Sequence, residues 1–182
     1  GKMISTLDHR GPDDYGVWSE DNSGIALGHK RLSILDLSEY GHQPMVSSDH
    51  RWVLVYNGEI YNHQEIKLEL EAKGKIFKGH SDTEVILEAI ATWGIKKTCE
   101  QLIGMFAFSV WDKTEKILYL VRDRLGIKPL YWCHFGDLFL FGSELKSLRA
   151  CDIWQHKINQ NAIANYFRHN YIPGPATIYQ NA

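Results

Sequence analysis

Cysteine is scarce. Cys99, Cys133 and Cys151 are the three in 182 residues, scattered and odd in number. No Cys-x-x-Cys occurs, which disfavours a disulfide framework and a zinc site and fits a reducing, cytoplasmic compartment. The nine histidines include no His-x-x-x-His pair and no metal-ligand cluster. Charge of one sign is also lacking: a net charge of −2 leaves no basic field of the kind that binds nucleic acid. No apolar run approaches the roughly 20 residues of a membrane span, and no signal peptide or repeat is visible. What remains is ordinary globular composition, 44% hydrophobic and 23% charged, with length for one domain and a sizeable core.

Apolar periodicity divides the chain into short strands and helices. Residues 1–7 read as the tail of a helix, stopped at His9-Arg10-Gly11-Pro12. Strands are expected at 15–19, 25–34, 52–56, 75–78, 104–112, 116–122, 131–135 and 138–143, the last two as a hairpin around Gly136-Asp137. Helices are expected at 63–72, at 96–103, at 144–149, at 161–168, and from a capping box of Ser81 and Glu84 to Gly94. The 104–112 run is nearly continuously apolar, so both its faces should be buried. This order lacks the β-α-β-α alternation of a parallel sheet. The expected fold is α+β, with two stacked antiparallel sheets and helices outside.

Three polar positions stand at element ends. Trp52-Val53-Leu54-Val55-Tyr56 climbs as a strand and meets Asn57-Gly58, a strong turn signal. The same dipeptide can aim an Asn amide and a Gly N–H at one point, the geometry that stabilises an oxyanion. Arg31 lies in the alternating second half of the 25–34 strand and could grip a carboxylate bidentately. Asp82, in the first turn of the capped helix, could pair with an ammonium or simply favour the helix dipole. A guanidinium, a donor pair and a carboxylate together would suit an amino acid.

Several stretches carry a family likeness in order along nearly the whole chain: His9-Arg10-Gly11-Pro12-Asp13, Arg31-Leu32-Ser33-Ile34, Asn57-Gly58-Glu59-Ile60-Tyr61-Asn62, Ser81-Asp82-Thr83-Glu84, Gly104-Met105-Phe106-Ala107-Phe108, Arg122-Asp123-Arg124-Leu125-Gly126-Ile127-Lys128-Pro129-Leu130 and Ser143-Glu144-Leu145-Lys146. The set resembles the N-terminal glutaminase domain, a class II glutamine amidotransferase, of glutamine-hydrolysing asparagine synthetases. The resemblance implies a four-layer αββα sandwich of the N-terminal-nucleophile hydrolase type. It implies L-glutamine as substrate, with Arg31 on its α-carboxylate, Asp82 on its α-amino group and backbone groups of Leu32 and Ile34 lining the pocket. Asn57 and Gly58 would form the oxyanion hole, with Glu59 contacting substrate beside them. The ammonia released would pass to a C-terminal synthetase domain that uses ATP and Mg to activate aspartate.

The family's nucleophile is an N-terminal cysteine whose α-amine acts as base. Residue 1 here is glycine, and none of the three internal cysteines lies in a matching motif. No Ser-Gly-Gly-x-Asp pyrophosphate loop occurs, so no cofactor is expected in this stretch itself. The resemblance is therefore read as a domain truncated at its N-terminus and inactive alone, covering residues 1–170. Residues 171–182 would begin the connection to an absent synthetase domain, and a sheet edge left open would permit a homodimer. A relative without glutaminase activity, like β-lactam-forming synthetases, and a non-catalytic binding module are the alternative readings.

Overall fold

The computed structural model describes residues 1–32 and 39–182. In chain order its elements are α1 (Lys2–Ser5), β1 (Asp14–Glu20), β2 (Ile25–Arg31), β3 (Met45–Val46), β4 (Trp52–Ile60), α2 (His63–Ala72), α3 (Asp82–Trp93) and α4 (Ile95–Gln101). There follow β5 (Gly104–Asp112), β6 (Ile117–Arg122), β7 (Tyr131–Phe135), β8 (Leu138–Gly142), α5 (Leu145–Arg149) and α6 (Gln160–His169). Two compact units result: Asp8–Lys128, and Gly1–Leu7 with Pro129–Ala182. Every ladder among the described strands is antiparallel.

The larger unit is built on a sheet of order β3-β4-β5-β6. Period-two alternation sends Trp52, Leu54, Tyr56 and Ile60 of β4, with Phe106, Phe108 and Val110 of β5, to one face. There they meet Ile66 and Leu70 of α2 and Val85, Ile86 and Ala89 of α3. Each such buried side chain contributes about 1.5–3 kcal/mol by leaving water. Val53 and Val55 on the opposite face are buried as well, and β5 is covered from Phe106 to Asp112, as its apolar run predicts. The β1–β2 hairpin turns through Gly24 at φ 62 and runs in register from Asp14↔Arg31 to Glu20↔Ile25.

Three expectations change. The central strand does not stop at Asn57-Gly58 but runs through it to Ile60. Nine cross-strand pairs with β5, from Trp52↔Asp112 to Ile60↔Gly104, override the turn preference of one dipeptide. Gly58 is there for space rather than for positive φ, since a Cβ would meet the Met105 carbonyl oxygen and, at 2.8 Å, the Phe106 Cα. Residues 75–78 form no strand. The N–H groups of Lys78 and Gly79 instead donate to the Glu84 carboxylate at 2.9 and 2.8 Å. That alters the predicted capping box: Ser81 Oγ accepts from Glu84 N at 3.3 Å, while Glu84 reaches past the cap to the preceding loop. Lastly, β2 ends at Arg31, and Ser33 and Ile34 of the predicted longer strand lie outside the described residues.

The smaller unit gathers Cys133, Leu140, Leu148 and Trp154 into a core, with Met3 from α1 packed against it. The β7–β8 hairpin turns at Gly136 with φ 57, where the sequence places it. Near the C-terminus Ile158 and Tyr179 form a single antiparallel bridge.

Candidate active site

The site is built along one edge of β4. On that edge β3 pairs with β4 at Met45↔Leu54 and Val46↔Val53. On the other side lies β5, whose Phe106 turns away: its N–H donates to Asp123 Oδ2 at 3.2 Å and its carbonyl accepts from Asp123 N at 2.7 Å. Gly58↔Phe106 is therefore a non-hydrogen-bonded pair, and Tyr56, Gly58 and Ile60 direct their N–H groups to the edge beyond β3. Side chains complete that edge. Tyr56 N donates to Gln43 Oε1 at 2.7 Å, and Ile60 N donates to Asp82 Oδ2 at 3.0 Å. Between the two, the Gly58 N–H meets no acceptor from any described side chain.

Asn57, the preceding residue of β4, carries a second donor. Its Nδ2 is buried and has no hydrogen-bond partner among the described residues. Leaving a buried amide donor unpaired costs about 1–3 kcal/mol, so such atoms are few and call for an explanation.

Asp82 is brought onto the same strand. It is 5% exposed, and its Oδ2 accepts from the Tyr56 hydroxyl at 2.6 Å as well as from Ile60 N. Arg31 approaches from β2, 9% exposed, at the strand end opposite Asp14. Two residues upstream, His29 Nε2 donates to the Tyr56 carbonyl at 3.0 Å, joining β2 to β4 next to Asn57. The Arg31 guanidinium packs over Gly41, where a Cβ would meet Nη2 and, at 2.7 Å, Cζ. Leu32 follows Arg31 and is 55% exposed. Glu59 is exposed on β4. Ile34 lies outside the described residues.

Tyr56 is the residue that sequence reasoning missed. Its N–H, carbonyl and hydroxyl are each held by a different side chain, those of Gln43, His29 and Asp82. Burial first, and the Asp82 charge next, push its phenol above the usual tyrosine range, so it acts as a hydrogen-bond donor. Burial also holds His29 down to about 4, so the ring is neutral near pH 7. Asp14 accepts from His42 Nδ1 at 2.7 Å, and that bond lowers its carboxyl from the ordinary value. No spacing in the sequence announces these partners, because Gln43, His29 and Asp82 sit 13, 27 and 26 residues from Tyr56.

None of the three cysteines lies on β4. Cys99 is half-buried on α4, and Cys133 and Cys151 belong to the smaller unit. Burial raises the Cys99 thiol and pushes Cys133 up to about 11, the reverse of what a nucleophile needs. Among the described residues no group of three or more His, Cys, Asp and Glu could hold a metal ion, and no helix is long and apolar enough to cross a membrane. A cleft of about 520 Å³ opens at the other end of β4, lined by Arg51, Trp52, Ile90, Lys96 and Asp112 among others. It contains none of the predicted site residues, and its Arg51 is engaged by both oxygens of Asp112 at 2.9 and 2.6 Å.

Comparison with known proteins gives the family. The model of a family described as a glutamine amidotransferase domain matches residues 1–182. The chain is 40% identical over 169 residues to asparagine synthetase (glutamine-hydrolyzing) 3 of Bacillus subtilis, covering 91% of this chain and 27% of that protein. It is 40% identical over 198 residues to a putative asparagine synthetase (glutamine-hydrolyzing) 2 of Methanocaldococcus jannaschii, covering 99% of this chain and 38% of that protein. The chain thus spans between about a quarter and two fifths of the length of these relatives. Among solved structures, the glutamine phosphoribosylpyrophosphate amidotransferase of B. subtilis superposes with a TM-score of 0.69 at 24% identity, over 82% of this chain and 39% of that one. The mixed helices and antiparallel sheets are the α+β fold shared with that amidotransferase, as expected.

Proposed function

Since the chain belongs to the glutamine amidotransferase domain family over residues 1–182, we propose that it is the glutaminase domain of an asparagine synthetase-like enzyme. In this reading residues 1–170 bind L-glutamine, and its hydrolysis gives glutamate and ammonia. A synthetase domain, reached through residues 171–182, uses the ammonia in ATP-dependent amidation of aspartate. The relatives named as glutamine-hydrolysing asparagine synthetases support this choice over other amidotransferases.

The observation that carries it is a pair of adjacent donors on β4, the Gly58 N–H and the Asn57 Nδ2, the latter buried and without a partner among the described residues. Together they suit the oxygen of a carboxamide, whose negative charge grows as a nucleophile adds to the carbon. Asp82, fixed one residue-pair further along, would take the α-ammonium. The Arg31 guanidinium would take the α-carboxylate, Leu32 and Ile34 would line the pocket, and Glu59 would reach the substrate from the exposed side. Donors held rigidly on a paired strand need no reorganisation when charge develops, which is what makes them effective.

Calorimetric titration of the chain with L-glutamine tests the reading. Saturable binding that Arg31→Ala abolishes and Asn57→Ala weakens is expected. Absence of binding, or binding indifferent to Arg31→Ala, overturns it.

A further inference from the structure

We infer that Gln43 is a positioning residue for glutamine recognition, one that sets the distance between the carboxamide end and the ammonium end of the site. The inference rests on the reading proposed above.

Gln43 is 6% exposed, although a primary amide is expensive to bury unless its polar atoms are matched. Both of its side-chain groups are matched, and to two different elements. Oε1 accepts from Tyr56 N on β4 at 2.7 Å, and Nε2 donates to Thr83 Oγ1 on α3 at 3.3 Å. Tyr56 directly precedes Asn57, and Thr83 directly follows Asp82. The amide therefore spans from the strand that carries the oxyanion donors to the helix that carries the ammonium partner, one residue away from each.

It also settles which edge donor stays open. Past β3, the edge of β4 presents the N–H groups of Tyr56, Gly58 and Ile60. Gln43 satisfies the first and Asp82 the third, which leaves Gly58 for the substrate. Without the Gln43 oxygen, Tyr56 N would be a second unsatisfied donor competing for the same carboxamide.

The chain makes room for this arrangement. A Cβ at Gly16 would meet the Gln43 carbonyl oxygen and, at 2.7 Å, His42 Nε2, so β1 passes against Gln43 at a glycine. A buried amide used only for cohesion would not need to touch both neighbours of the two recognition residues.

The test compares L-glutamine with L-norvaline, which has the same α-amino acid head and no carboxamide. Binding of each is measured calorimetrically for the parent chain, Gln43→Met and Thr83→Val. Gln43→Met should reduce the preference for glutamine over norvaline by about tenfold, the effect of one hydrogen-bond-sized change in free energy, with norvaline affinity little altered. Thr83→Val frees one end of the amide and should give a smaller loss of preference. Loss of structure would instead lower both affinities in parallel, and that result, or an unchanged preference in Gln43→Met, overturns the inference. If Gln43→Met does not fold, the Thr83→Val preference decides by the same criterion. A parent chain that does not prefer glutamine overturns the functional reading first and this inference with it, which separates the two failures.

Discussion

The Tyr56 hydroxyl donates to Asp82 Oδ2 at 2.6 Å, from strand β4 to the first turn of α3, with both side chains buried. One bond thus fixes a carboxylate of the proposed ammonium site to the residue that precedes the proposed oxyanion donors. A hydrogen bond to a charged acceptor contributes about 1.5–3 kcal/mol. Tyr56→Phe keeps the ring in its core and removes the donor. It should lower stability to urea by that amount and weaken glutamine binding, while Asp82→Asn, which can still accept from Tyr56, should retain more stability than binding.

Acid sensitivity has a named source in His29. Burial depresses its pKa from 6.5 to about 4, against the opposing hydrogen bond to the Tyr56 carbonyl and with help from the Arg31 charge. Between those two values the unfolded chain binds a proton that the folded chain refuses. Stability therefore rises with pH across that window: the contribution is fully present above pH 6.5 and is lost as pH falls towards 4. The shift corresponds to at most about 3 kcal/mol. Urea midpoints of the parent and of His29→Gln, measured from pH 7 to pH 4.5, should converge as pH falls, because glutamine at this position cannot take up the proton.

Two glycines should respond differently to the same added methyl. At Gly58 the obstruction is backbone, the Met105 carbonyl and the Phe106 Cα, which cannot move without opening the β4–β5 ladder. Gly58→Ala should cost about 1–3 kcal/mol or more in chemical denaturation. At Gly41 the obstruction is the end of the Arg31 side chain, which can swing away. Gly41→Ala should keep nearly the parent melting temperature and lose most of its affinity for glutamine.

Asp123 clasps the loop after β6. Its carboxylate accepts from the N–H groups of Phe106, Leu125, Ile127 and Lys128 at 3.2, 3.2, 2.9 and 2.9 Å. Burial raises its pKa and these backbone bonds more than offset that, so the net shift is downward. Asp123→Ala strands several N–H groups at once and should cost upwards of about 2 kcal/mol. Hydrogen exchange at Leu125 and Ile127 should accelerate well beyond what the global loss of stability explains.

Much of this was legible in the sequence because it is local or periodic. The apolar run of β5, the Ser81 cap, the Gly136 turn and the antiparallel character of the sheets follow from spacing alone. Asn57-Gly58 reads as a strand end in sequence because turn preference is a property of two residues, whereas the ladder that overrides it depends on Ala107 and Phe106, about 50 positions away. The Asn57 amide, Arg31 and Asp82 could be picked out as polar residues at suggestive places. What holds them could not. Gln43, His29 and Tyr56 read as a loop amide, a strand histidine and a core aromatic until the fold brings Gln43 Oε1 to 2.7 Å from Tyr56 N and His29 Nε2 to 3.0 Å from the Tyr56 carbonyl.

The alternation along β4 also restricts how this sequence can change. Tyr56 belongs to the helix-covered face and Asn57 to the other, so the two duties are assigned by odd and even position as much as by residue type. Substitutions between Trp52 and Tyr56 alter packing and leave that assignment in place. Loss or gain of a single residue there shifts the reading frame of the strand against β5, exchanges the faces of both side chains, and removes the Asp82 contact and the open amide donor in one step. Length in this segment is therefore less negotiable than composition.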